Sequence, residues 1–291
     1  MKKLFVILGF VGLGLLFVPE TSAQNFFEEE ATIKDGLYDE NETGIKTPMA
    51  LPYVREADVM WKKTIWREID YRQKMNQGFY FPTTPHRNLK NLYTVLKEAL
   101  EDPTTGVVAY KDETVTGELI NPTTWSEIKT QITSVQQIER TDDYGNVVEV
   151  QSVESEMNSA EVKRCQIKEE WYFDKQKSEL LVRIIAICPI RVVEKDGVLV
   201  PQRLFWVPYD DNLRKVLINA PFFNRSNSAA RLSYDDVFLR RVFDSYIIRE
   251  DNIFDRSIQE YAKGIEVLRE SERIRQDIID FEQSLWEYLY D

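Results

Sequence analysis

The chain has 291 residues, of which 49 are Asp or Glu and 37 are Lys or Arg, and its formal net charge is -12. Hydrophobic residues make up 43% of the sequence, enough to build one large or two modest folded domains. An acidic chain without a basic stripe is a poor partner for nucleic acid or for anionic lipid. The composition therefore argues against a function in binding DNA or RNA.

The first 23 residues have the features of a signal peptide. Lys2 and Lys3 precede an uncharged run, Leu4–Val18, and small residues then lead to Ala23 and Gln24, between which we expect cleavage. The run is shorter than the roughly 20 apolar residues that a membrane-spanning anchor needs. The sequence therefore predicts export, a periplasmic location and no direct membrane span.

The next segments predict an arm followed by helices. Residues 24–51 are expected to form an acidic, flexible arm, because residues 24–50 hold seven acids and two bases and show no periodicity. A main domain is predicted over residues 52–265. Its first helix is expected over Val54–Gln77, where Ala57, Trp61, Ile65 and Ile69 recur at four-residue steps. Two further helices are predicted over Asn88–Leu100 and Trp125–Ile132.

Residues 139–161 predict a flexible acidic insertion in this domain. They contain seven acids and one base, and the sequence from Asp143 to Asn146 is typical of a turn. The chain then predicts a β-hairpin centred on Gln176 and Lys177, in which paired residue numbers sum to about 353. This register pairs Phe173 with Leu180, Trp171 with Val182, Tyr172 with Leu181, Glu170 with Arg183, and Ile167 with Ala186.

The same register places the only two cysteines, Cys165 and Cys188, opposite each other. In an oxidising compartment such a pair could close a disulfide. A slip of one residue would instead point the two sulfurs to opposite faces of the sheet. Two buried thiols are therefore the alternative interpretation.

The remainder of the chain predicts more strands and then helices. An Asp-Gly turn at residues 195–198 and the segment Leu204–Val207 continue a β-meander, and Leu213–Leu217 is a further candidate strand. After Asn224 helices are expected, with a capping box at Ser233 and Asp236 and an apolar series that runs on to Tyr246. Ile253–Ala262 and the amphipathic segment 266–291 are predicted to be the last helices. The expected fold class is α+β, with N-terminal helices, a central antiparallel meander and C-terminal helices.

The sequence offers no clear catalytic, metal or cofactor site. His86 is the only histidine, so neither a catalytic triad nor a multi-histidine metal centre has its companion residues. Neighbouring acids could form a glycosidase pair, but each has a simpler interpretation as a helix cap or a cross-strand ion pair. The candidate acid pairs are Asp235 with Asp236, Glu169 with Glu170, and Glu250 with Asp251.

Trp61 and Trp66, with Arg67 beside the second, are candidate anchors for a protein interface. Tryptophan and arginine are enriched at the energetic centres of such interfaces. On a helix the two rings would diverge by about 140 degrees, so one is expected in the core and the other nearer the edge. A sugar-stacking platform and simple core packing are the alternatives.

Four blocks in order resemble the GldN/PorN family of the type IX secretion and gliding-motility machinery of Bacteroidota. They are READVMWKKTIWREIDYRQKMN (Arg55–Asn76), KEEWYFDKQKSELLVRIIAICP (Lys168–Pro189), LFWVPY (Leu204–Tyr209) and FNRSNSAARLSYDDVFLRRVFDSYIIREDNIFDR (Phe223–Arg256). The resemblance covers the chain from about residue 52 to 265.

The resemblance implies a non-enzymatic periplasmic subunit, held at the outer membrane by a GldK/PorK-like lipoprotein. It further implies self-association in a ring that couples to the periplasmic part of a GldL/GldM-like motor (PorM-like in the second nomenclature), and it implies no cofactor. Two alternatives from the residues alone stay open. One is a glycan-active enzyme that uses an acid pair, and the other is a glycan-binding protein that uses its tryptophans.

Overall fold

The computed structural model describes residues 44–287, apart from residues 87, 113–118, 142–146, 156, 196, 226 and 228. The predicted signal peptide and residues 24–43 of the predicted arm lie outside the described residues, as do the last four positions of the predicted C-terminal helix. From Ile45 onward the chain belongs to one compact unit. The predicted boundaries of the arm, the main domain and the insertion stay predictions.

The described part of the chain combines α-helices with antiparallel strands, so the predicted α+β class is confirmed. The helices are α1 (Gln77–Tyr80), α2 (Leu92–Glu101), α3 (Trp125–Ile132), α4 (Asp211–Asn219), α5 (Tyr234–Leu239), α6 (Ile258–Tyr261) and α7 (Ile265–Glu287). The strands are β1 (Val59–Asp70), β2 (Ala109–Tyr110), β3 (Pro122–Thr123), β4 (Ser134–Thr141), β5 (Val147–Ser155), β6 (Val162–Asp174), β7 (Glu179–Lys195), β8 (Val198–Arg203), β9 (Val207–Pro208), β10 (Pro221–Phe222), β11 (Leu232–Ser233) and β12 (Tyr246–Glu250). Short 3-10 helices occupy Glu56–Asp58, Pro103–Thr105 and Ser159–Glu161.

One antiparallel sheet organises these elements. Its strand order is β12-β1-β6-β7-β8, and β9 also pairs with β7. The pairs β2 with β3, β4 with β5, and β10 with β11 form separate two-stranded sheets. The hairpin of β4 and β5 spans most of the predicted insertion, so this segment contains paired backbone, while its turn lies outside the described residues.

The first predicted helix is wrong, because Val59–Asp70, half of Val54–Gln77, forms strand β1 inside the sheet. A four-residue step keeps side chains on one face of a helix, but it does so on a strand as well, where side chains alternate with period two. Ile65 and Ile69 are fully buried on one face of β1, and Trp66 is buried on the other. The apolar spacing fits a helix and a strand equally well, and backbone pairing with β6 and β12 selects the strand.

The predicted hairpin register is confirmed near its turn and wrong farther from it. Pairs from Phe173 with Leu180 to Glu170 with Arg183 form as predicted. A β-bulge between Lys168 and Glu169 then shifts the register by one residue. Ile167 consequently pairs with Ile187 and not with Ala186. A bulge inserts one unpaired residue into one strand, and the letters alone give no signal for it.

The bulge also separates the two cysteines. Cys188 pairs with Gln166 and Cys165 with Pro189, so the predicted direct pairing is wrong. The two side chains belong to different apolar clusters, and both are buried free thiols. The candidate disulfide is therefore not formed in this structure.

The other predicted helices and strands are partly confirmed. Helices α2 and α3, the Asp-Gly hairpin between β7 and β8, and the capping box of Ser233 and Asp236 are confirmed. The candidate strand Leu213–Leu217 is wrong, because Asp210 caps helix α4 there by accepting a hydrogen bond from the Leu213 amide. The expected helical run to Tyr246 is also wrong, since α5 ends at Leu239 and Tyr246 begins edge strand β12. The helix predicted over Ile253–Ala262 shrinks to α6.

Helices cover one face of the sheet in two parts. Helix α7 packs Ile274 and Ile278 against Ile65 of β1 and Ile247 of β12, as the amphipathic pattern predicted for the C-terminal segment. Beside it lies a larger cluster, in which α1, α2, α4 and α5 pack on β1, β6 and β7 through residues such as Ile69. The opposite face carries a small cluster around Trp66, Cys188 and Trp206. Both sides of the sheet are therefore used for packing, and the helical layer is divided by a seam.

Candidate protein interface

The predicted interface anchors make contacts inside the protein. Trp66 is only 6% exposed, and its ring lies against the cations of Lys168 and Arg249. Trp61 projects from the other face of β1 and stacks on Phe281 of α7, with ring centroids 4.5 Å apart. The Arg67 side chain donates from Nε to Ser245 Oγ at 2.9 Å. These three side chains hold β1 to its neighbours, so a partner surface must be sought elsewhere.

The candidate acid pairs are engaged in ion pairs and caps. Asp235 is 2% exposed and accepts two hydrogen bonds from Arg214, while Asp236 completes the cap of α5. Glu169 is fully buried and pairs with Arg241.

Two further members of the acid pairs, Glu170 and Glu250, are also engaged. Glu170 forms its ion pair with Lys62 of β1, although its backbone lies opposite Arg183 as predicted. Glu250 pairs with Lys63. These acids serve the packing of the sheet and of helix α5.

His86 and the two cysteines are the remaining candidates for a reactive or metal-binding site. His86 is exposed, and its backbone forms an isolated bridge with Leu89. Burial raises the pKa of the Cys165 thiol to about 12 and that of Cys188 well above its usual range, so both thiols are held in their unreactive form. Among the described residues, no group of three His, Cys, Asp or Glu side chains could hold a metal ion.

The surface instead offers an apolar groove, which we call the aromatic groove, between α1 and the segment around β10. It has a volume of about 830 Å³ and is lined by Met75, Phe81, Phe222 and Phe223, with Leu232 and Val242. Met75, Phe81 and Phe223 are each about half exposed. Single exposed apolar residues are ordinary, but three at one concave site are typical of a protein-binding surface.

The floor of the aromatic groove is closely packed. Phe222 meets Phe79 edge-on at 5.2 Å and Tyr234 at 5.3 Å, measured between ring centroids. Gly78 allows this arrangement, because a Cβ at this position would lie 2.4 Å from the Phe222 ring. A floor held by buried aromatic contacts costs little entropy to order when a partner binds.

The charge of the aromatic groove is opposite to that of the chain. Lys74 and Arg225 line it, and none of its described lining residues is Asp or Glu. Apolar walls with two cations favour a segment that combines apolar and acidic side chains. Ile253, almost fully exposed, and Phe254, 73% exposed, form a second apolar region just before α6.

The aromatic groove was not predicted from the sequence. The signal that could have found it is the doublet Phe222-Phe223, since successive side chains of extended backbone point to opposite sides. Phe222 is buried in the floor, whereas Phe223 is 48% exposed. Met75 and Phe81 carry no comparable signal, because only the folded α1 segment brings them to the same site.

The fold and this surface together define a class: an α+β protein with an antiparallel sheet, a helical layer and an apolar surface groove. A search of family models matches residues 54–287 to the family described as gliding motility associated protein GldN. The chain belongs to this family. No curated protein sequence matches it. No helix in the described part of the chain is long and apolar enough to cross a bilayer.

Proposed function

We propose that the chain is a structural subunit of a periplasmic ring at the outer membrane, which serves type IX secretion and gliding motility. Membership of the GldN family is the observation that carries this proposal. In the ring the chain would associate with further copies of itself and with a GldK/PorK-like lipoprotein, and it would couple to a GldM/PorM-like motor protein. Anchoring through the lipoprotein would hold the chain at the outer membrane.

We further propose that the aromatic groove receives the lipoprotein partner. A protein whose task is assembly needs a surface that is stable before binding, and the floor of Phe222, Phe79 and Tyr234 provides one. Lys74 and Arg225 favour a partner segment that carries carboxylates. Buried aromatic anchors at the centre of an interface contribute most of its binding energy.

The test is co-purification of the tagged chain from detergent-extracted envelopes of the native organism. The unaltered chain is expected to bring down the lipoprotein and to migrate as a large assembly. Phe223→Asp should abolish recovery of the lipoprotein, because it puts a carboxylate on an apolar wall of the aromatic groove. Phe254→Asp is the matched control, since Phe254 is also an exposed phenylalanine but lies away from the groove.

The two parts of the proposal fail separately. An unaltered chain that migrates alone would overturn the role as an assembly subunit. Equal recovery of the lipoprotein with Phe223→Asp and Phe254→Asp would leave the assembly role standing and overturn the assignment of the aromatic groove.

A further inference from the structure

A second concave site lies at the seam between the two helical covers of the sheet. It is a pocket of about 390 Å³ between β1, the turn that precedes β12, and α7. We call it the arginine pocket, because Arg67, Arg241 and Arg275 all line it. These arginines come from a central strand, from the end of helix α5 and from α7, so the pocket exists only in the folded chain.

Arg67 lines the arginine pocket and has no carboxylate at ion-pair distance among the described residues. Its Nε donates to Ser245 Oγ at 2.9 Å and its Nη2 to the Ser245 carbonyl oxygen at 3.1 Å. Within the described part of the chain no Asp or Glu oxygen approaches its guanidinium to ion-pair distance, and Nη1 makes no hydrogen bond. Burial lowers the pKa of Arg67, and the charges of Arg241 and Arg275 act in the same direction against the opposing effects of Glu169 and Asp244.

The neighbouring arginines differ in how their charges are balanced. Arg241 is paired with the fully buried Glu169, with an N to O distance of 2.8 Å. Arg275 forms an exposed pair with Glu272 at the rim. The lining residues therefore include three arginines and two carboxylates, Asp244 and Glu272, which leaves one formal positive charge before the Glu169 carboxylate that pairs with Arg241 is counted. Asp244 also lines the pocket, but its side chain is exposed at the rim.

Two hydroxyl groups add donors to the same pocket. Ser271 is 7% exposed, and its Oγ accepts a hydrogen bond from the Ile247 amide at 2.8 Å. Ser245 Oγ accepts from Arg67. Both oxygens already act as acceptors, and neither hydroxyl proton has an acceptor among the described residues. The pocket thus presents guanidinium and hydroxyl donors, which is the arrangement that binds a tetrahedral oxyanion.

We propose that the arginine pocket binds a phosphate group, with Arg67 as its main ligand and the hydroxyls of Ser245 and Ser271 as further donors. A phosphate offers several acceptor oxygens and supplies the negative charge that Arg67 lacks. Its source is either free phosphate or the headgroup of a phospholipid. The site is distinct from the aromatic groove and does not depend on the proposed function.

The experiment uses purified mature protein and inorganic phosphate, titrated by calorimetry at constant ionic strength. The unaltered chain is expected to bind. Arg67→Gln should weaken binding at least about tenfold, since it removes a charged donor. Arg269→Gln is the matched control, because Arg269 is an exposed arginine of α7 whose partner is Glu266. Its affinity for phosphate should equal that of the unaltered chain.

A gain of affinity gives an independent check that leaves Arg67 in place. Asp244→Asn removes an exposed carboxylate from the rim and should tighten phosphate binding roughly twofold to fivefold. Phosphatidylcholine vesicles with and without phosphatidic acid identify the source. Sedimentation with phosphatidic acid vesicles that requires Arg67 indicates a headgroup, whereas binding of inorganic phosphate alone indicates the free ion. No binding of either probe, or equal binding by the unaltered chain and Arg67→Gln, overturns the proposal.

Discussion

Arg214 and Arg67 both point into the folded chain, but their charges are balanced differently by the residues around them. Arg214 is fully buried, and Asp235 meets it with two oxygens at 3.1 and 3.2 Å, while the Tyr209 hydroxyl donates to the same carboxylate. Among the described residues Arg67 makes hydrogen bonds only to Ser245, which carries no charge.

The contrast separates two uses of a cation in a folded chain. The first arginine is charge-balanced and closes the contact between α4 and α5. The second leaves one charge facing a pocket. Removing a partner from a closed pair is costly, whereas an open cation can accept a ligand.

Loss of Asp235 is the largest expected effect. Asp235→Ala leaves the Arg214 guanidinium buried without its carboxylate, and we expect the free energy of unfolding to fall by about 3 to 5 kcal/mol. Urea denaturation followed by circular dichroism measures it. Asp211→Asn is the control, because Asp211 also lies near Arg214, at 3.8 Å, but its side chain is 80% exposed. That variant should lose less than about 1 kcal/mol. Equal losses would show that Asp235 does not balance Arg214.

The sequence predicted part of each site. The capping box at Ser233 and Asp236 was visible, and Asp235 lies inside it, but its partner Arg214 was assigned to a candidate strand. A short apolar run fits a strand and a helix equally well when no partner is known. Tertiary contacts with α5 and the cap at Asp210 decided for the helix.

Arg67 was noticed in the sequence for a different reason. Next to Trp66 on a supposed helix, it was expected at an exposed interface. On a strand, Arg67 and Trp66 point to opposite faces, so the two residues cannot act together on one partner. The partners of Arg67 also lie far along the chain, since Ser245 is 178 positions away. Local patterns gave no information about that distance.

Cys165 lies in the large apolar cluster, and the titration of its thiol measures how well that cluster excludes solvent. Burial raises the pKa of its thiol from 9.0 to about 12. Between these values the folded chain keeps a proton that the unfolded chain loses, so the free energy of unfolding should decrease as pH rises. Below pH 9.0 both states are protonated and the contribution is constant. The slope for one such group is about 1.4 kcal/mol per pH unit.

Comparison with Cys165→Ala isolates this contribution, because the tyrosines titrate in both proteins. The stability advantage of the unaltered chain should shrink steadily as urea denaturation is repeated from about pH 9 to about pH 11. Parallel pH profiles of the two proteins would mean that solvent reaches the thiol. The cluster that holds Cys165 would then be less closed than the structure indicates.

Arg67→Met is expected to have the smallest effect on the free energy of unfolding, in contrast to the large loss expected for Asp235→Ala. Methionine retains the apolar stem that packs beside β12 and removes a charge that has no carboxylate partner within the described residues. Replacing an unbalanced buried charge by an apolar side chain is often neutral or stabilising. In phosphate-free buffer we therefore expect the free energy of unfolding to stay within about 1 kcal/mol of the unaltered chain. Added phosphate should stabilise the unaltered chain and leave Arg67→Met unchanged. A large loss of stability without phosphate would instead mean that the charge of Arg67 is balanced within the fold, chiefly by Glu169, as the charge of Arg214 is balanced by Asp235.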